Sequence, residues 1–155
     1  MPEGVIEEKI YNVDQDIEKL VSSLMEMDPL YIKENTKKII GDWPNSYTFS
    51  KHLAEKYLYK HRGNINILIA RPAVVIAAID DPFKGWTDTA SAGGNIIMTA
   101  GLGINPFMPL AKGKLVDIIP VDIVAKTMLV GASFVGQQNG ILEVLNIGST
   151  ANPNN

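Results

Sequence analysis

Apolar residues recur at two different periods along this chain, and the change of period separates helical from strand-forming stretches. In "VDQDIEKLVSSLMEMD", Ile17, Leu20, Val21, Leu24 and Met25 fall at helical spacing, with Asp14 or Asp16 available to cap the start. "PLYIKENTKKIIGDW" predicts a second, shorter helix ending at Gly41, with Lys37 and Lys38 near its negative end. Pro44 then interrupts the chain, and Asn45 or Ser46 can cap a third helix running to about Lys60. The pattern changes at Ile65, Ile67, Leu68, Ile69 and Ala70, an apolar run stopped by Pro72. Such a run predicts a strand inside a parallel sheet, covered on both faces.

"DDPFKGWTDTASAGG" follows as a long loop, of the kind that in compact domains is usually functional or disordered. "NIIMTAGLGI" reads as a helix, or a short helix plus turn, closed by Gly101 and Gly103, and "KLVDIIP" as a short strand. "VDIVAKTMLVGASFV" reads as a helix with Ile123, Val124, Thr127, Met128 and Ala132 on one side and Asp122 near its positive end. "ILEVLNIGS" is a last strand and "TANPNN" a turn-rich tail. The alternation of helix and strand predicts α/β architecture. It supplies about three strands, against the roughly six of a Rossmann sheet.

Composition narrows the chemistry. Across 155 residues the net charge is −3 and the Lys and Arg are scattered, which argues against a nucleic-acid surface. The absence of cysteine excludes disulfides, a Cys-based metal site and a Cys nucleophile. His52 and His61 are not spaced for a shared metal and are expected to be solvated helix residues, so no metal site is expected. Met98, Met108 and Met128 are expected to fill the core. No stretch reaches the ~18–20 apolar residues of a membrane span. The acidic start "MPEGVIEEKI" lacks a signal-peptide layout, so the chain is expected to be soluble.

The sharpest chemical signal lies in "GDWPNSYTFSKHLAEKYL", where Tyr47 and Lys51 fall at i and i+4 on one helix face. An unperturbed phenol has a pKa of about 10, too high for ready proton exchange at neutral pH. A neighbouring ammonium favours the phenolate. A tyrosine so tuned can protonate a carbonyl oxygen while hydride reaches the carbon. The ammonium also offers donors to ribose hydroxyls. The same spacing arises by chance, as Tyr57 near Lys56 and Lys60 illustrates, so the pair alone leaves catalysis and simple helix surface both open.

Four motifs in order add to it: "WPNSYTFSKHLAEKYL", "IARPAVVIAA", "DDPFKGWTD" and "DIIPVDIVAKTML". Together they resemble the fatty acyl-CoA reductase family, an extended branch of the short-chain dehydrogenase/reductases with a male-sterility-type NAD(P)-binding domain. The resemblance runs from about Gly4 to Asn152. It implies that Tyr47 is the proton donor to the carbonyl. It implies that Lys51 lowers the pKa of that tyrosine and holds the nicotinamide ribose. Pro72, Ala73, Val74 and Val75 correspond to a strand-end turn beside the nicotinamide, with backbone groups near its carboxamide. Phe83, Gly85 and Trp86 match the family loop beside substrate or cofactor. The alternative is that Arg71 and Pro72 simply end a strand and that Trp86 caps the core from outside. Asp122 is expected to be a helix-start carboxylate without catalytic role. The implied cofactor is NADPH and the implied substrate a fatty acyl-CoA thioester, reduced to aldehyde or alcohol.

The chain also departs from the family pattern. No G-x-G-x-x-G occurs, and "GLGINP" does not qualify because it sits mid-chain with Pro106 following. The family's catalytic Ser or Thr, on a strand ahead of the point matching Gly4, has no counterpart, nor has its C-terminal helical region. The expected fold is therefore a partial Rossmann-like parallel sheet with flanking helices, lacking the N-terminal nucleotide-binding half. Residues 1–155 are expected to be the second half of a reductase domain, with 1–45 as helical lead-in and 46–155 as the Tyr-x-x-x-Lys helix plus the remaining strands and helices. Alone it is expected to be inactive, completed by another polypeptide or a missing segment that also covers the apolar strand. The competing expectation is a non-catalytic structural or assembly subunit derived from a reductase. In a third reading Met1 is not a natural start. The family suggests a peroxisomal or endoplasmic-reticulum periphery, but these residues contain no anchor.

Overall fold

A computed structural model of the protein describes residues 6–11, 16–89, 93–105 and 116–150. Met108, Lys114, Leu115 and Asp14 lie outside the described residues, as does most of the tail. Side-chain caps start most helices of the N-terminal stretch. α1 (Ile17–Glu26) begins at Asp16, whose carboxylate accepts from the Glu18 and Lys19 N–H groups. The expected second helix is two: α2 (Pro29–Glu34), capped by Asp28, and α3 (Thr36–Ile40). The break at Asn35 has a local cause. The Asn35 amide donates to the Tyr31 carbonyl at 2.9 Å and the Thr36 hydroxyl to the Ile32 carbonyl at 2.9 Å, side-chain bonds that compete with a continuous helix. α4 (Ser46–His61) is capped by Asn45, which accepts from the Thr48 N–H at 2.8 Å.

The chain divides into two compact units, Met1–Ile69 with Asn139–Val144, and Ala70–Gln138 with Leu145–Asn155. In the first, α1 and α3 pack on α4, and Ile17, Ile40, Phe49 and His52 are buried. His52 thus corrects the expectation of a solvated residue. It lies one turn from Phe49 on the inward face, only 6% exposed, and stacks on Trp43 at 4.7 Å between ring centroids. His61 is exposed, with its Nε2 3.2 Å from the Glu18 carboxylate.

β1 (Ile67–Pro72) neighbours β4 (Leu142–Ile147). β2 (Val74–Ile76) pairs in parallel with β3 (Ile118–Pro120), Val74 opposite Ile118 and Ile76 opposite Pro120. The chain changes partner at a single residue. The Ala73 N–H donates to Ile147 O at 2.8 Å and the next N–H, of Val74, to Asp117 O at 3.2 Å. Pro72 therefore ends one ladder without ending the extended chain, and the three expected strands become four segments. The strand run is not buried on both faces. Ile65 is 67% exposed and precedes β1, and β1 is half-buried along most of its length because β4 is its one strand neighbour among the described residues.

In the second unit α5 (Gly93–Gly101) packs on β2, and α6 (Val121–Gly136) packs on β2 and β3. Ile119, Val124 and Ile147 form the core there, with Ala70, Ala73, Val75 and Leu145 against it. The expected inward face of α6 is corrected as well. Its buried residues are Asp122, Val124 and Val135, whereas Ile123 and Met128 are exposed and Leu129 and Val130 are more than 70% exposed. A helix apolar on nearly every side offers no single stripe from which to read its orientation. Met98 and Met128 are about half exposed, not core filler. The architecture is α/β with parallel pairing and flanking helices, Rossmann-like in kind.

The end of β4 is held by a carboxylate. Asp117 accepts from the Ser149 N–H at 2.6 Å, the Ser149 hydroxyl at 3.0 Å and the Thr150 hydroxyl at 2.8 Å. Gly148 lies directly beneath this carboxylate, where an added Cβ would stand 2.5 Å from an Asp117 oxygen. Gly148→Ala is expected to destabilise the chain by ~1–3 kcal/mol, because the clamped carboxylate has to move. A thermal midpoint unchanged from the parent chain would contradict this.

Candidate functional site

Tyr47 and Lys51 are presented by the way α4 is anchored. Phe49 is 5% exposed and meets Trp43 edge-on at 6.2 Å, and His52 stacks on the same indole. At 3.6 residues per turn, positions two apart point roughly 160° apart. Burying Phe49 therefore turns Tyr47 and Lys51 to the opposite face. Tyr47 is 68% exposed, Lys51 is exposed, and the Lys51 Nζ lies 5.5 Å from the Tyr47 ring centroid. The distance suits a cation above an aromatic ring.

The other expected site residues belong to the second unit. Pro72 closes β1, Ala73 is the partner-switch residue, and Val74 and Val75 are in β2, so the segment is strand and not the expected turn. The N–H groups of Ala73 and Val74 are engaged in strand pairing. The turn comes later, after Ile76. There the Ala78 N–H donates to Trp86 O and the Gly85 N–H to Ala78 O, both at 2.9 Å, closing a compact loop. Gly85 sits at φ +80°, a conformation costly for any residue with a Cβ. Trp86 is half-buried, while Phe83 is 61% and Ile79 52% exposed.

Asp122 holds this loop, and its role goes beyond the helix-start charge expected of it. It is 6% exposed, and its carboxylate accepts from the N–H groups of Ile79 (3.1 Å), Asp80 (3.1 Å) and Asp81 (3.4 Å). Lys126, one turn along α6, forms an ion pair with Asp81. Burial alone would raise the Asp122 pKa, but the backbone donors outweigh it and hold it down to about 2 from 3.8. A carboxylate with a lowered folded-state pKa stabilises the fold above its unfolded pKa and loses that contribution as pH falls through the folded value. The contribution of Asp122 is thus complete above about 4 and fades toward 2. The parent chain is expected to lose melting temperature more steeply over that interval than Asp122→Asn, which is expected to melt several degrees lower at neutral pH. Parallel slopes in thermal melts of the two would contradict this.

Among the described residues no group of His, Asp or Glu is placed to hold a metal ion, and no helix is long and apolar enough to cross a membrane. Comparison with known proteins gives the pattern a family. The model of the male sterility protein family, an NAD-binding domain, matches residues 2–128. The chain belongs to that family. Curated members similar to it include fatty acyl-CoA reductase 1 of Xenopus laevis, 39% identical over 131 residues, and fatty acyl-CoA reductase 2 of Homo sapiens, 38% identical over 124 residues. These alignments cover 84% and 80% of this chain but 25% and 24% of the relatives, so the chain spans about a quarter of their length. No solved structure matches it.

Membership in the male sterility family bears out the resemblance read from the four motifs and supports a nicotinamide cofactor at the level of NAD(P). The residues present fit part of such a group. Tyr47 and Lys51 put a phenol hydroxyl and an ammonium on one exposed helix face, the donor set that a reacting carbonyl and a ribose need. The N–H groups of Ala73 and Val74 do not fit the expected carboxamide contact, being committed to the sheet.

Proposed function

We propose that this chain is the part of an NADPH-dependent fatty acyl-CoA reductase that supplies its proton donor and ribose-binding lysine. The observation that carries the reading is the outward presentation of Tyr47 and Lys51 side by side from α4, opposite buried Phe49. NADPH, when bound, supplies hydride to the thioester carbonyl carbon. Tyr47 donates its phenolic proton to the carbonyl oxygen as negative charge develops there. Lys51 donates hydrogen bonds to the ribose hydroxyls and fixes the ring's distance from Tyr47. Family membership is what supports assigning the Pro72, Ala73, Val74 and Val75 segment to the nicotinamide; the Val74 side chain is the exposed one of the two valines, while Ala73 and Val75 pack against the core. Phe83, Gly85 and Trp86 contribute a loop at the carboxyl end of a parallel strand, where open α/β sheets bind ligands. Hydride and proton together give a thiohemiacetal, whose C–S bond breaks to release the CoA thiol and leave an aldehyde; a second hydride and proton take that aldehyde to the alcohol.

The pyrophosphate of NADPH needs a Gly-rich strand–turn–helix, and these 155 residues contain none. We therefore propose that a further stretch of polypeptide, on the same chain or another, completes the site. The exposed apolar side chains of α6 and the half-buried β1 support this, being surface that a completed sheet would cover. The test is NADPH oxidation with a long-chain acyl-CoA, run on this chain alone and on the complete polypeptide that carries it. Turnover by the complete protein only is expected. No turnover by the complete protein, or saturable micromolar NADPH binding by this chain alone, would count against the reading.

A further inference from the structure

Two adjacent parallel strands, β2 and β3, deliver their carboxyl ends to one place. The end of β2 runs into the loop closed by Ala78 and Trp86, and the end of β3 runs directly into the first turn of α6. Asp122 stands in that first turn and spends both carboxylate oxygens on the loop's three successive N–H groups, at Ile79, Asp80 and Asp81. Lys126 adds its ion pair to Asp81. With Gly85 closing the far side, the loop is tied at both ends while its apolar side chains at Ile79 and Phe83 remain more than half exposed. The loop's exposed charged side chains are paired, Lys84 with Asp80 and Lys126 with Asp81, which leaves Ile79 and Phe83 as the large apolar side chains that the anchored loop holds toward solvent.

We propose that Asp122, assisted by Lys126, positions the Ile79–Trp86 loop as the contact for the hydrocarbon chain of the substrate, and thereby sets its preference for acyl length. This rests on the reductase reading. Asp122 touches neither substrate nor cofactor in this scheme and acts through the loop. With the loop ordered, Ile79 and Phe83 gain contact with added methylenes of the acyl chain, while an untied loop loses that gain to the entropy of ordering it. The backbone N–H groups that hold the Asp122 carboxyl pKa down keep it ionised, as an anchor of the loop, at neutral pH.

The test is kinetic, on the complete polypeptide carrying this segment, with NADPH and a series of saturated acyl-CoA thioesters of increasing length. Asp122→Asn is expected to raise KM for the longest thioesters roughly tenfold and that for the shortest less than about twofold, with kcat preserved, as loss of apolar contact requires. Phe83→Ala is expected to reproduce that signature, and the double variant to add little further, because both act on one contact. Lys126→Met, at an exposed ion pair, is expected to give a smaller shift of the same kind and carries the test if Asp122→Asn fails to fold. Faster hydrogen exchange at the Ile79, Asp80 and Asp81 amides in Asp122→Asn is the accompanying structural readout.

A uniform loss of kcat at every acyl length, a KM series unchanged in slope, or full additivity with Phe83→Ala overturns the positioning role while leaving the reductase reading intact. A parent protein that oxidises no NADPH with any thioester of the series ends the reductase reading first, and this proposal with it.

Discussion

Tyr47→Phe is expected to cut kcat for NADPH-dependent acyl-CoA reduction by ~10²–10⁴-fold, the usual contribution of a positioned general acid. The substitution removes one oxygen from a side chain that is 68% exposed, and no hydrogen bond of the described fold runs through that hydroxyl, so packing should be untouched. Thermal melts of parent and variant are expected to coincide. KM for the thioester and the Kd for NADPH are expected to stay within a few-fold, because the phenol acts on charge that appears only in the transition state. The comparison is made in the complete polypeptide carrying this chain. A variant retaining more than about half of the parental kcat would mean that the proton comes from elsewhere and that the Tyr-x-x-x-Lys spacing in α4 is helix surface.

Phe49→Ala is expected to cost ~3–5 kcal/mol of stability, the range for a buried phenylalanine truncated to alanine. Phe49 is 5% exposed, meets Trp43 edge-on, and lies on the face of α4 that also buries His52. Its removal leaves a cavity beside the Trp43 indole, on which His52 stacks. For a domain whose total stability is ~5–15 kcal/mol, this is a large share. The denaturant midpoint is expected to fall sharply with m unchanged. Because Phe49 orients the helix that carries Tyr47 and Lys51, catalysis in the complete protein is expected to fall as well, through a population of misaligned sites. A midpoint shifted by less than about 1 kcal/mol would show that α4 does not depend on this anchor.

Much of the helical frame is legible in the residues themselves because its signals are local. Asp16, Asp28 and Asn45 each precede a helix and each caps one through its own side chain. The Tyr47–Lys51 juxtaposition is legible for the same reason, since four residues along a helix fix a shared face whatever surrounds it. Long-range choices are not legible. Nothing in "RPAVV" announces that the chain trades β4 for β3 at Ala73, because the switch is set by which carbonyls of Ile147 and Asp117 come alongside. The inward side of α6 is hidden by its apolar residues on nearly every face. His52 looks solvated in a helix of mixed polarity until Phe49 and Trp43 define the buried side.

Asp122 is legible in the sequence only as a helix-start carboxylate. As a sequence feature it is one acidic residue near a helix start, a common and unremarked placement. A sharper signal was available in "IPVDIV". A carboxylate flanked by apolar residues on both sides, at the carboxyl end of a strand, is placed to be buried, and a buried carboxylate needs donors. The donors are main-chain N–H groups more than forty residues earlier, which no local pattern reveals.

The most direct test of the account is an equilibrium titration of the complete polypeptide with NADPH, followed by nicotinamide fluorescence, in the parent and in Lys51→Met. If the ammonium of Lys51 holds the ribose beside Tyr47, the variant should bind roughly tenfold more weakly or worse, as expected on losing charge-assisted hydrogen bonds. Equal affinity in the two proteins would mean that this face of α4 does not meet the cofactor.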